Sequence, residues 1–164
     1  MINERVRFQN RVYEALSEDT RELKEGVLLV KTPTNARFIP PHTPCIEASE
    51  LKHYLNVNIP IIGITGTNGK TTTAALIAHL LQALGHSCAL LGTRGFFIHN
   101  AQVKPKGLTT PSLLELYSDI ARARAEGAEY FVMEVSSHAL AQERILGLEF
   151  AAKVHTNITS DHLE

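Results

Sequence analysis

The stretch IPIIGITGTNGKTTTAALIAHLLQALG, residues 59–85, constrains the fold more than any other part of the chain. An apolar, β-branched run breaks into a turn holding Gly66 and Gly69, then resumes as good helix formers that stop at Gly85. A strand passed through a glycine turn into a helix is the opening of a βαβ unit. The helix is apolar on all sides, which predicts that it is buried.

The same rhythm continues. SCALLG from Ser87 reads as the next buried strand, and SLLELYSDIARARAEG as an amphipathic helix capped by Ser112 and stopped by Gly127. EYFVMEV and AAKVHTNI, the latter from Ala151, read as two further strands. This alternation predicts an α/β fold, a parallel sheet covered on both faces, with ligands gathering beyond the carboxyl ends of its strands. The loops of interest then follow Ile64, Val135 and Val154. Residues 1–57 have another texture, with short apolar runs such as GVLLV and no long helical pattern. They predict a small, loop-rich β or α/β domain ahead of a second domain at 58–164.

Composition narrows the function classes. Net charge is −1 with scattered basic residues, so neither nucleic acid nor an anionic membrane is an expected partner. Cys45 and Cys88 stand alone, outside any CxxC spacing, which argues against a disulfide framework or a zinc site. The charged start MINERVRFQNRVYEAL lacks the apolar core of a secretory signal, and no apolar run is long enough to span a bilayer. The expected location is the cytoplasm.

A glycine turn before a helix exposes unpaired backbone N–H groups at the positive end of the helix dipole, a seat for polyphosphate. Lys70 adds a charge that can reach the outer phosphates, and the Thr71 hydroxyl can ligate a bridging Mg²⁺. A polyphosphate carrying Mg²⁺ is the ligand this predicts. The strict P-loop pattern fails at its first glycine, where Ile64 stands between Gly63 and Gly66. The competing reading is a packing turn with Lys70 as a solvated charge. Downstream, Glu134 ends a buried strand and so brings a carboxylate to the same sheet edge. By itself that is also what an ordinary strand-end acid would do.

GITGTNGKTTTAALI resembles the ATP-binding motif of the Mur ligase family, which departs from the strict pattern in the same way. LTTPS, VMEVSSHALAQERILG and TNITSDHLE follow in the order and spacing of that family. EVSSHAL narrows the resemblance to the branch that adds a third amino acid to UDP-N-acetylmuramoyl-L-alanyl-D-glutamate in peptidoglycan assembly. DTRELKEGVLLV resembles a segment of the uridine-binding domain of those enzymes, with Thr20 in place of a serine. The implied architecture is a small uridine-binding-type domain followed by a P-loop ATPase domain that is truncated.

The resemblance implies ATP-dependent amide formation: the D-glutamate γ-carboxylate takes the γ-phosphoryl group, and an amine attacks the acyl phosphate. It assigns Gly66, Thr67, Asn68, Gly69, Lys70, Thr71, Thr72 and Asn157 to ATP. It assigns Thr71, Glu134 and His162 to the metal, with Lys70, Glu134 and His162 as the catalytic group. Thr20, Thr109, Thr110, Ser136, Gln142 and Arg144 are assigned to the sugar nucleotide. The expected partners are UDP-N-acetylmuramoyl-dipeptide and an amino acid, meso-diaminopimelate or lysine. Leu108, ahead of the paired threonines, cannot donate a side-chain hydrogen bond. His138, in the SSHAL turn, receives no acid or base role.

The family continues beyond SDHLE, so the chain is expected to be part of a longer ligase and not to complete the reaction alone. A truncated sheet predicts self-association through its open edge. The alternatives are a non-catalytic nucleotide or UDP-sugar binding module, another Mur ligase, or a folylpolyglutamate synthase, which shares the GTNGK turn.

Overall fold

A computed structural model of the chain describes residues 1–159. The first unit contains strands β1 (Val6–Phe8), β2 (Arg11–Tyr13), β3 (Ala15–Ser17), β4 (Val27–Lys31) and β5 (Cys45–Glu47), with three short 3₁₀ turns. β1 and β2 form an antiparallel pair, and β3-β4-β5 a parallel sheet with GVLLV at its centre.

The second unit runs β6 (Ile61–Thr65), α1 (Lys70–Ala83), β7 (Cys88–Gly92), β8 (Gly95–Ile98), β9 (Ala101–Lys104), α2 (Leu113–Ala125), β10 (Tyr130–Glu134), α3 (Ser137–Ala141) and β11 (Ala152–His155). Its sheet has the order β11-β6-β10-β7-β8-β9. The four strands expected from the sequence are all present and parallel. β8 and β9 are antiparallel additions that the sequence reading passed over. TRGFFIHNAQVK is too short for a helical crossover, and His99 and Asn100 both take positive φ in a tight turn between the two strands. Lys104 Nζ fastens this hairpin to α2 through Asp119 Oδ1 at 2.6 Å and Glu115 Oε1 at 3.0 Å.

The helices end where the sequence said. His86 N–H bonds to the Leu81 carbonyl and Gly85 N–H to that of Gln82, while Ala128 and Gly127 do the same to Ala123 and Arg124. Both are Schellman closures that need a glycine with positive φ. Ser112 stands at the N-cap of α2, although its side chain makes no capping bond.

α1 departs from expectation. Ala74 and Ala78 pack on Ile64, Cys88 and Val132, but Leu76, Leu80 and Leu84 lie on the exposed side. Only one face of this helix meets the sheet, and no other described residues form a layer over its outer face; its composition could not reveal that. On the opposite face of the sheet, Leu116, Ile120 and Ala123 of α2 pack against Ile61, Ala89, Phe131 and Met133. The other side of α2 contributes Leu113, Leu114 and Tyr117 to the core of the first unit, against Leu16, Leu28, Ile46 and Leu51. α2 therefore helps tie the six-stranded sheet to the first unit.

Candidate functional site

The turn after β6 carries its glycines for two reasons. Gly66 and Gly69 have φ of 137° and 84°, values that side chains disfavour, and a Cβ on Gly66 would collide with Thr156 Oγ1. The segment leaving β11 clamps the turn. Thr156 Oγ1 donates to the Asn68 carbonyl at 2.6 Å, Asn157 Oδ1 accepts from Asn68 N–H at 3.0 Å, and the Asn157 carbonyl accepts from Thr67 N–H at 3.1 Å. The first helical hydrogen bond of α1 is Thr73 N–H to Gly69, so the N–H groups at residues 70–72 precede the helical ladder. Lys70 folds back over the turn, its Nζ donating to the Gly66 carbonyl at 2.6 Å and to that of Thr67 at 3.0 Å. An ammonium and the positive end of a helix dipole thus share one small concavity.

Glu134 sits beside it. The parallel register sets Met133 opposite Leu91, which brings Glu134 level with the end of β7. Gly92 has no Cβ there, and one added would collide with Glu134 Oε1. The carboxylate is 2% exposed and accepts three hydrogen bonds: Thr93 N–H at 3.0 Å on Oε1, and the hydroxyls of Thr71 at 3.0 Å and Thr93 at 3.2 Å on Oε2. Among the described residues no Lys, Arg or His lies within ion-pair distance of it. A buried carboxylate held only by neutral donors is costly without a cation. No group of three or more His, Cys, Asp or Glu side chains gathers among the described residues. A cation here would find a carboxylate and a hydroxyl and complete its shell with water and phosphate oxygens, a donor set that fits Mg²⁺.

The other predicted residues form a second wall. Thr110 is 1% exposed, and its hydroxyl donates to the Glu134 carbonyl at 3.0 Å while accepting from Ser136 N–H at 3.1 Å. It is a strut between two loops, with its hydroxyl engaged on both sides. Ser136 caps α3 by accepting from Ala139 N–H at 3.2 Å. Arg144 grips Gln142 Oε1 through Nε and Nη2, at 2.9 and 2.6 Å, and donates to the Thr110 carbonyl at 2.7 Å. Gln142 and Arg144 therefore act as one rigid unit.

Gly66, Thr67, Lys70, Thr109, Ser136 and Asn157 line a single cleft of about 640 Å³, joined by His138 and His155. Thr71 and Glu134 border an adjoining hollow of about 370 Å³ between α1 and β7. Thr20 stands apart, in a hollow of the first unit with Asp19, Thr34 and Asn35. His162 lies outside the described residues. Two participants were missed by the sequence reading, Thr93 and Thr156. Thr93 was legible in principle, since it follows the carboxyl end of SCALLG; Thr156 acts from the end of the neighbouring strand β11, a pairing that spacing does not encode.

Residues 64–164 match the family model for the Mur ligase middle domain. The chain belongs to the Mur ligase family. It is 51% identical over 170 residues to the UDP-N-acetylmuramoyl-L-alanyl-D-glutamate–2,6-diaminopimelate ligase of Helicobacter pylori strain J99, covering 99% of this chain and 38% of that protein. A ligase of the same name from Helicobacter hepaticus is 47% identical over 191 residues, covering 100% of this chain and 41% of the relative. The chain therefore spans about two fifths of the length of these curated Mur ligases. A solved structure of a ligase with that name superposes with a TM-score of 0.69 at 28% identity, covering 93% of this chain and 38% of that one.

Proposed function

We propose that the chain carries the ATP-binding and sugar-nucleotide-facing parts of a cytoplasmic ligase that joins diaminopimelate to UDP-N-acetylmuramoyl-L-alanyl-D-glutamate in peptidoglycan synthesis. The observation that carries this reading is the single cleft bringing Lys70 and the glycine turn together with Thr109 and Ser136 from two other loops. Phosphate groups on one wall and a carboxylate-bearing substrate on the other would meet across it. The names of the similar ligases support diaminopimelate over lysine as the added amino acid. Among the described residues no helix is long and apolar enough to cross a membrane.

In this reading the glutamate γ-carboxylate oxygen attacks the γ-phosphorus of ATP and ADP leaves. The amine then attacks the acyl carbon, phosphate departs, and the amine proton is lost. Lys70 and the N–H groups at residues 70–72 hold the phosphates and offset the charge that spreads during transfer. Thr71 and Glu134 would hold Mg²⁺, which when bound would supply charge neutralisation for phosphoryl transfer. Thr109, Ser136 and the Gln142–Arg144 unit orient the sugar nucleotide, with Thr110 bracing them, and Thr20 serves the uridine end. Asn157 keeps the turn open by holding Asn68 from both sides.

The test is phosphate release by the protein at its natural length. Release requiring ATP, Mg²⁺, UDP-N-acetylmuramoyl-L-alanyl-D-glutamate and meso-diaminopimelate together is expected. Release indifferent to the sugar nucleotide would overturn the reading, and a preference for lysine would overturn the choice of amino acid.

A further inference from the structure

Thr93 belongs to no motif in the sequence reading, yet it makes two of the three hydrogen bonds that hold the Glu134 carboxylate. Its hydroxyl also lies 3.0 Å from Thr109 Oγ1. A hydroxyl has one proton, and an ionised carboxylate can only accept. The Thr93 proton therefore goes to Glu134 Oε2, so the Thr109 hydroxyl must donate to Thr93. The result is a directed chain, Thr109 to Thr93 to Glu134, that links the cleft wall to the buried acid. It also leaves Thr109 presenting lone pairs, and not a proton, toward the cleft.

The backbone is shaped for this arrangement. Gly92, immediately before Thr93, gives up its Cβ position to the Glu134 side chain. Without Thr93, Thr71 would be the one described side chain bonded to the carboxylate, and Thr71 is the residue that would share the cation. A carboxylate bonded only through its fellow ligand has no fixed partner to set its plane.

We propose that Thr93 is a positioning residue for the metal site: it fixes the Glu134 carboxylate toward the cation and sets the hydrogen-bond polarity of Thr109. This rests on the reading of Glu134 and Thr71 as cation ligands. The relevant variants are Thr93→Val, which keeps shape and the backbone N–H but loses the hydroxyl, and Thr93→Ser, which keeps both donors.

The readout is Mn²⁺ binding to the chain in the presence of AMP-PNP, followed by electron paramagnetic resonance, alongside AMP-PNP affinity in excess EDTA. Thr93→Val is expected to weaken Mn²⁺ about tenfold, the effect of one hydrogen bond to an ionised group. Thr93→Ser is expected to bind Mn²⁺ within about twofold of the parent, with metal-free AMP-PNP affinity the same in all three proteins. Parent-like Mn²⁺ binding by Thr93→Val would overturn the proposal. Equal losses in both variants would do so too, as would a matching loss of metal-free nucleotide binding, since that marks a merely structural role. A parent chain whose AMP-PNP binding ignores Mn²⁺ would bring down the Glu134 reading itself, and this one with it.

Discussion

Gly92→Ala isolates the steric logic of the site. Gly92 lies in β7 without a positive φ, so the backbone tolerates alanine. Taken alone, the change would stabilise by about 0.4–1 kcal/mol through the unfolded chain. The new methyl, however, would lie 2.7 Å from Glu134 Cδ and 2.9 Å from Cγ, besides colliding with Oε1. Overpacking of this kind costs about 1–3 kcal/mol. Moving the carboxylate aside also weakens hydrogen bonds to an ionised group, at about 1.5–3 kcal/mol for each one lost. The clash wins, and a net destabilisation of about 2–4 kcal/mol is expected. In a Glu134→Ala background the colliding atoms are gone, and the same change should be neutral or stabilising by up to about 1 kcal/mol. Urea unfolding of the four proteins closes the cycle. Equal effects of Gly92→Ala in both backgrounds would refute the claim that this glycine exists to seat the carboxylate.

Lys70→Ala should weaken Mg-nucleotide binding by about 2–4 kcal/mol, measured by calorimetry, while a loss below about 0.5 kcal/mol would make the turn purely structural. Tyr117 is fully buried, its hydroxyl donates to the Leu146 carbonyl at 3.0 Å, and burial pushes its pKa up to about 12. Tyr117→Phe should cost about 1 kcal/mol in urea unfolding, and an unchanged midpoint would mean that water replaces the bond without loss. Asp119 gives a pH signature, because burial pushes its carboxyl above the ordinary range although Lys104 pulls the other way. A carboxyl with a higher pKa folded than unfolded lends stability below its unfolded value and loses it as pH rises through the folded value. Asp119→Asn removes that loss, so its stability relative to the parent should rise as pH increases from about 4 toward 7. The half-buried Asp19 and Glu22 and the exposed Glu129 and Glu149, all held low by their hydrogen bonds, act in the opposite sense in both proteins and cancel in the difference. Stability curves that stay parallel would refute the assignment.

The strand–turn–helix unit at residues 59–85, the stops at Gly85 and Gly127, and the carboxylate at the end of β10 can all be read from the residues in order. Each is a local matter: glycine at a helix end, β-branched runs in buried strands, a lysine and threonine opening a helix. The sequence was also sufficient for the Mur ligase resemblance, because that rests on short motifs in order. The outward leucines of α1 were not legible, since composition says which residues are apolar but not which face finds a neighbour. The β8–β9 hairpin was hidden because GFFI and AQVK are short and their pairing is decided by the sheet edge they join. Only the folded chain shows that Thr110 is a strut, that Asn157 and Thr156 clamp the turn from the adjacent strand β11, and that Thr93 holds Glu134. Those contacts span 41 residues between Thr93 and Glu134 and 89 between Asn68 and Asn157. At such separations the parallel register, and no local preference, brings the partners within hydrogen-bond reach.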